Sequence, residues 1–109
     1  MTETDIMNSI RLKLSEMSFI VFRANVGKVK LQDGRWFDTG LPRGFSDLFA
    51  IKDGKIYFIE VKKPNGVVGA DQLNFIKQMQ KQGCVAGVVR SVEEAINLVN
   101  GTTRETRGI

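Results

Sequence analysis

Residues 47–62 read DLFAIKDGKIYFIEVK, which is two apolar runs joined by an Asp-Gly pair at positions 53 and 54. An Asp-Gly pair between two strand-like runs favours a β-hairpin with a two-residue loop. The loop sets the register, because residues at equal distances from it face each other across the two strands. This register predicts that Asp47 lies directly opposite Glu60, with the two β-carbons roughly 5 Å apart.

The predicted register also gathers charged side chains on an otherwise apolar strand pair. Side chains two residues apart on a strand point to the same face, so Lys62 shares the face of Glu60. Two carboxylates directly opposite each other destabilise a sheet unless a positive charge lies between them. The trio therefore indicates a metal site with a catalytic lysine. The alternative is structural, with Glu60 and Lys62 as an ion pair on the strand and Asp47 as the residue that starts it.

The composition restricts the chemistry that such a site can perform. The chain has no histidine, which excludes histidine general bases, Ser/His/Asp and Cys/His nucleophile systems, and histidine zinc sites. Hydrolysis here would use carboxylates, lysine and an oxygen-binding cation such as Mg²⁺ or Mn²⁺. Sixteen Lys and Arg against twelve Asp and Glu give a net charge of +4, which permits a polyanionic partner such as nucleic acid.

The length of 109 residues is that of one small domain with one core. We interpret residues 1–109 as a single domain and expect residues 102–109 to form a flexible tail. No apolar run approaches the ~18 residues of a membrane span, and the N-terminus lacks a signal-peptide core. The lone Cys84 cannot form an internal disulfide, which fits a reducing compartment. We therefore expect a cytoplasmic protein that does not associate with membranes.

Hydrophobic periodicity and turn residues predict the other elements. They are a helix from Thr2 to about Met17, a strand over 19–23, a hairpin over 28–37, a loop over 38–44, a helix from Asp71 to Gln82, a strand over 84–89, and a helix from Ser91 to Asn100. The strand–helix–strand order after residue 55 is a βαβ crossover, so its two strands should run parallel. Both faces of the central hairpin are apolar. We therefore expect an α/β fold with a mixed sheet flanked by helices on both faces.

Glu3 lies on the apolar stripe of the first predicted helix, four residues before Met7 and seven before Ile10. The helix dipole favours an acidic residue in the first turn, and this structural role is one interpretation of Glu3. The other interpretation is a third acidic ligand for the same site.

A basic segment lies between the first predicted helix and Asp47. Its charges suit contacts with phosphates, and Trp36 within it suits stacking on a base or sugar. The alternative is a solvated edge on which Trp36 caps the core. The candidate nucleic-acid-binding residues are Arg23, Asn25, Lys28, Lys30, Arg35 and Arg43, with Lys63 after the central hairpin.

These residues together resemble the VRR-NUC branch of the PD-(D/E)XK nuclease superfamily. The motif residues are Gly44, Phe45, Ser46 and Asp47, then Glu60, Val61 and Lys62, then Gln72 on the next helix, then Val88, Val89 and Arg90 at the end of a later strand. The resemblance spans most of the chain and implies a single VRR-NUC domain with a restriction-endonuclease-like core. Ser46 stands where the name of the superfamily implies proline, and this branch tolerates small residues there.

The resemblance implies roles for the site residues. Asp47 and Glu60 would bind Mg²⁺ or Mn²⁺ together with the backbone carbonyl of Val61. Lys62 would position or activate the attacking water. Glu3 would complete the acidic cluster.

Gln72 matches a position where related nucleases carry a polar residue near the site, and its alternative role is that of a first-turn helix residue. The implied reaction is metal-dependent hydrolysis of phosphodiester bonds in DNA. Small bacterial or phage proteins of this branch resemble Holliday junction resolvases, which implies a homodimer acting on four-way junctions. A flap or nicking endonuclease with the same site, and a non-catalytic nucleic-acid-binding module, remain open.

Overall fold

The computed structural model describes residues 1–101, which form three helices and six strands. In chain order these are α1 (Glu3–Glu16), β1 (Ile20–Arg23), β2 (Lys28–Lys30), β3 (Trp36–Asp38), β4 (Leu48–Lys52), β5 (Lys55–Val61), α2 (Ala70–Lys81), β6 (Val85–Val89) and α3 (Val92–Val99). The predicted element order is confirmed, with ends that differ by one or two residues. The predicted tail, 102–109, lies outside the described residues. Within residues 1–101, every helix is too short or too polar to span a bilayer.

Four strands form one mixed sheet in the order β1-β4-β5-β6. β4 and β5 are antiparallel, and Lys52 pairs with Lys55 across the two-residue loop as predicted. Asp53 and Gly54 have φ values of 52° and 78°, and positive φ at both central residues is what a type I′ turn requires. β6 runs parallel to β5, which confirms the crossover through α2.

One face of the sheet is covered by α1 and α3. Thr2 caps α1, because its hydroxyl oxygen accepts a hydrogen bond from the Asp5 N–H and the Asp5 carboxylate accepts one from the Thr2 N–H. Ile10 and Leu14 are fully buried in a hydrophobic cluster that also contains Ile59 of β5. Burial of such side chains is worth about 1.5–3 kcal/mol each. This core makes β5 a rigid support for the residues at its end.

The opposite face carries α2, which packs on β5 and β6. The fold class is therefore confirmed, with helices on both faces. A helix is about 10 Å across and strands lie about 4.8 Å apart, so one helix covers about two strands. The other half of this face stays open, and Ile20, Phe22 and Ile56 are exposed there. The register predicts that Ile51 and Ile56 pair on the face of Glu60 and bury against a helix. The pairing is confirmed, but the burial is wrong, because Ile56 is 41% exposed.

β2 and β3 form a separate two-stranded sheet, which we call the arm (residues 28–38). Every residue of its two strands is exposed, and among the described elements these strands pack chiefly on each other. The interpretation of Trp36 as a core cap is wrong, because its side chain is 64% exposed. The arm thus extends from the body of the domain.

Candidate active site

Asp47 and Glu60 meet where β4 and β5 separate. The antiparallel pairing starts at Leu48, opposite Ile59, so Asp47 lies one residue outside it. The Val61 N–H donates to Asp47 Oδ2 at 2.9 Å, and the Asp47 N–H donates to Glu60 Oε1 at 3.3 Å. The predicted proximity of the two carboxylates is confirmed, but side-chain hydrogen bonds replace the expected backbone pairing.

Glu60 is a buried carboxylate, 1% exposed. Its Oε2 accepts a hydrogen bond from Gln72 Nε2 at 2.8 Å and lies 3.6 Å from Lys62 Nζ. Burial and the neighbouring Asp47 carboxylate raise the pKa of Glu60 to about 8, although Lys62 acts in the opposite direction. One ammonium group therefore does not compensate the two carboxylates, and a bound cation would supply the missing charge.

The donor atoms at this place suit a hard divalent ion. Asp47 and Glu60 contribute carboxylate oxygens, and Val61 lines the same small cavity as Asp47. Oxygen ligands without histidine or cysteine are those that Mg²⁺ and Mn²⁺ prefer. The residues present therefore fit the ion that the resemblance implies.

Lys62 is held at the site by both its main chain and its side chain. Its N–H donates to the Val89 carbonyl at 3.0 Å, which continues the parallel pairing of β5 with β6. Its side chain is 13% exposed and pairs with Glu60. The ammonium group is thus positioned beside the Glu60 carboxylate and not in open solvent.

Gln72 has both of the roles that its position suggests. Its Oε1 accepts a hydrogen bond from the Gly69 N–H at 2.9 Å, which caps the first turn of α2. Its Nε2 donates to Glu60. Because the oxygen and nitrogen of the amide each have their own partner, the side chain has one favourable orientation. The start of α2 therefore orients Glu60.

The loop before Asp47 is packed tightly against α2. Gly44 has a φ of +91°, and a β-carbon there would lie 2.5 Å from the Asp71 carbonyl oxygen, so only glycine fits. Ser46 is fully buried, and its hydroxyl donates to the Leu48 carbonyl at 2.8 Å. These two residues fix the path of the chain into Asp47.

A small cavity of about 100 Å³ lies beside Asp47. It is lined by Glu3, Thr4, Met7, Arg23, Asp47 and Val61. Glu3 Oε2 accepts a hydrogen bond from the Lys63 N–H at 3.3 Å, which brings the start of α1 to the end of β5. Residues 1–101 contain no group of three acidic, histidine or cysteine side chains placed to hold a metal ion. Glu3 thus lies near the carboxylate pair without forming a three-membered cluster with it.

The predicted nucleic-acid-binding residues occupy several surfaces around the site. Arg23 lines the small cavity, and Arg43 lines a larger cleft of about 470 Å³ at the start of α2. Asn25 is exposed before the arm, and Lys63 is exposed directly after Lys62.

The other three candidates lie on the arm. Lys28 and Lys30 are exposed on β2. Arg35 is in the turn of the arm, where its Nε is 2.7 Å from Asp33 Oδ2. The basic residues thus form a discontinuous surface and not one patch.

Arg90 has a role that its place in the sequence does not reveal. Its Nη1 donates to the carbonyl oxygens of Lys63, Pro64 and Gly66 at 2.9, 3.2 and 2.8 Å. These bonds fasten the turn that connects Lys62 to α2. The sequence does contain one signal for this role. Arg90 directly follows the buried apolar strand β6, which runs parallel to β5, and β5 is the strand that precedes the turn.

Residues 14–93 match the family model of the VRR-NUC domain. The chain belongs to the VRR-NUC family. The matched range contains Asp47, Glu60, Lys62 and Gln72, whereas Glu3 lies before it. VRR-NUC domains are in general nucleases, so the geometry above is that of a nuclease domain.

The VRR-NUC fold is also found among solved structures. One named "VRR_NUC domain" has a TM-score of 0.67 and 21% identity to this chain, and the alignment covers 94% of this chain and 100% of that chain. At this identity the likeness shows the fold alone. No curated protein matches the sequence.

Proposed function

We propose that this protein is a Mg²⁺- or Mn²⁺-dependent endonuclease that hydrolyses DNA phosphodiester bonds in branched structures, with the four-way junction as its main substrate. The observation that carries the proposal is the buried Glu60 against Asp47, with Lys62 Nζ 3.6 Å away. Like charges placed together at the end of a strand pair lower the stability of the fold, and groups with such perturbed pKa values are concentrated at functional sites.

Each residue of the site has its own role in the proposed reaction. A divalent ion held by Asp47, Glu60 and the Val61 carbonyl would activate water and neutralise charge that develops on the phosphate. Lys62 orients the attacking water or takes its proton. Gln72 keeps the carboxylate of Glu60 in place through its 2.8 Å hydrogen bond.

The proposed substrate follows from the elements that surround the active site. In residues 1–101 the three helices pack on the sheet and only the arm extends from it, so this part of the chain presents no helix that could read bases in a groove. Specificity for the shape of DNA is therefore favoured over specificity for its sequence.

We also propose that the active species is a homodimer, because symmetric cleavage of two strands needs two sites at a fixed spacing. The open half of the sheet supports this, since its apolar side chains are exposed. β1 is an edge strand, and an antiparallel pair of two identical edge strands has twofold symmetry. Sedimentation at micromolar concentration should show a dimer. A monomer, alone and with junction DNA, would count against this.

A surface variant with a matched control locates the interface. Ile20 on β1 and Leu12 on α1 are exposed to similar extents, 60% and 64%. Ile20→Lys should shift the protein to a monomer, whereas Leu12→Lys should leave the dimer intact.

The test of the proposed activity is a panel of labelled four-way junction, flap, nicked duplex, duplex and single-stranded DNA with Mg²⁺ or Mn²⁺. We expect cleavage of the junction in opposed strands. Asp47→Ala and Lys62→Ala should abolish cleavage, while binding by Asp47→Ala is unchanged or tighter because a repulsive carboxylate is lost. Asp47→Ala cutting at the wild-type rate would contradict the assignment. A preference for flaps would favour the flap-endonuclease alternative, and binding without cutting would favour a binding module.

A further inference from the structure

The arm exposes a tryptophan and lysines on one face. Lys30 pairs with Trp36 across its two strands, and residues opposite each other point to the same face. Lys28, two residues from Lys30, shares this face. Lys30 Nζ is 6.0 Å from the centre of the Trp36 ring. The opposite face carries the apolar pair Val29 and Phe37.

The charged groups of the arm are not equally available. Arg35 is engaged by Asp33. Asp38 pairs with Lys28 on the face of the lysines, and its carboxylate accepts a hydrogen bond from the Gly40 N–H at the root of the arm. Within residues 1–101, neither Lys28 nor Lys30 forms an ion pair. The arm therefore offers two ammonium groups next to an exposed indole, a combination that suits a phosphate backbone and a stacked base.

A cleft lies between the root of the arm and the start of α2, where Asp71 and Gln72 line it. Its lining includes Val26, two residues before the arm, and Gln72 on α2. Arg43, which lies between these two residues in the sequence, also lines the cleft. Because Gln72 donates a hydrogen bond to Glu60, a strand with a phosphate at the carboxylates has a path along this cleft toward the arm.

We infer that the arm recognises the branch point of the DNA. Trp36 stacks on a base that is unpaired at the branch, Lys28 and Lys30 bind the phosphates next to it, and the strand continues past Arg43 to the carboxylates. This inference rests on the proposed nuclease function. Continuous duplex has no unpaired base for the indole, so the arm favours a branch that carries an unpaired base over duplex and over a fully paired branch.

The chain contains a single tryptophan, Trp36, so its fluorescence reports on the arm alone. The wild-type protein in EDTA, where cleavage cannot occur, is titrated with a four-way junction that has an unpaired base at the branch and with a duplex of equal length. We expect the junction to quench Trp36 strongly and the duplex to leave it nearly unchanged.

Variants separate stacking from general effects on the arm. Trp36→Ala should raise the Kd for the junction by about 5- to 150-fold, the range for loss of one stacked base, and leave the duplex Kd unchanged. Trp36→Phe should restore most of the affinity. Phe37→Ala, on the opposite face and 56% exposed, is the matched control and should bind like the wild type.

The outcomes distinguish this inference from the proposed function. If no DNA is cut with either metal, the nuclease proposal fails, while quenching in EDTA still tests the arm. If the wild type cuts junctions but Trp36 is not quenched and Trp36→Ala keeps the wild-type Kd, the arm inference is wrong. Equal loss of affinity in Trp36→Ala and Phe37→Ala would also overturn stacking. Conversion of the dimer to a monomer by Trp36→Ala would show that the arm binds a second copy instead.

Discussion

Replacing Glu60 by glutamine should stabilise the metal-free protein while it abolishes activity. Glu60 is 1% exposed, and burial together with Asp47 raises its pKa from an ordinary 4.5 to about 8. A buried carboxylate that is kept for function lowers the stability of the metal-free protein. Residues needed for activity often have this cost, so replacing them can stabilise the fold. Glutamine has nearly the same shape and no charge.

The sign and size of the effect follow from the pKa of Glu60. The folded protein keeps the proton up to about pH 8, whereas the unfolded chain loses it near 4.5. The free energy of unfolding therefore falls as the pH rises through this window. At about 1.4 kcal/mol per pH unit the upper limit is about 5 kcal/mol. Relaxation of the protein around the charge makes the effect smaller than this limit. We expect the free energy of unfolding to change by about 1–3 kcal/mol.

Glutamine at position 60 can keep one of the two hydrogen bonds that Glu60 accepts from Gln72 and from the Asp47 N–H. Its oxygen can accept the hydrogen bond from Gln72 Nε2 that Glu60 Oε2 accepts now. Its NH₂ group then takes the place of Glu60 Oε1, where it loses the weak 3.3 Å hydrogen bond from the Asp47 N–H but can donate to the Asp47 carboxylate in place of a like charge. The substitution removes the charge without leaving a cavity.

The assay is urea unfolding in EDTA at pH 5.5 and pH 8.5, beside cleavage of junction DNA with Mg²⁺. Glu60→Gln should be more stable than the wild type at pH 8.5, lose little stability between the two pH values, and show no cleavage. Glu93→Gln, at an exposed position of α3, controls for general loss of a negative charge. The reasoning is refuted if Glu60→Gln is the less stable protein at pH 8.5, or if wild-type stability does not change between the two pH values.

Three further results are expected. Mn²⁺ should raise the Tm of the wild type at pH 8 but not that of Glu60→Gln, because the cation compensates the buried charge; an equal rise in both, measured by thermal shift, would place the binding elsewhere. Gly44→Ala should lower the free energy of unfolding by about 3 kcal/mol in chemical denaturation, because a β-carbon there has both a positive φ and a contact with the Asp71 carbonyl. Gly40→Ala, where φ is +81° and the space is open, should lower it by only about 1 kcal/mol. Arg90→Ala should lose about 2–3 kcal/mol because three carbonyls lose a charged donor, and steady-state kinetics should show a larger fall in kcat than rise in KM; unchanged kcat would show that the turn does not position the site.

The register of β4 and β5 was predictable because it depends on local interactions. An Asp-Gly pair sets a two-residue loop, and alternation of apolar residues sets the faces. The Thr2 cap of α1 and the parallel crossover are local in the same sense. Ser91 and Glu94 have the spacing that predicts a capping box, and only half of it forms. The Ser91 hydroxyl accepts a hydrogen bond from the Glu94 N–H, whereas Glu94 Oε1 accepts one from the Arg90 N–H and not from Ser91.

The sequence by itself determined which groups can act here, namely carboxylates, a lysine and no histidine, and it placed Asp47 near Glu60. Only the tertiary structure decided that Asp47 leaves the ladder and that Glu60 is buried with a raised pKa. It also decided that Arg90 holds a turn some 25 residues away and that Trp36 is exposed. Burial and hydrogen bonds between distant residues depend on how the helices pack on the sheet. Spacing along the chain does not carry that information.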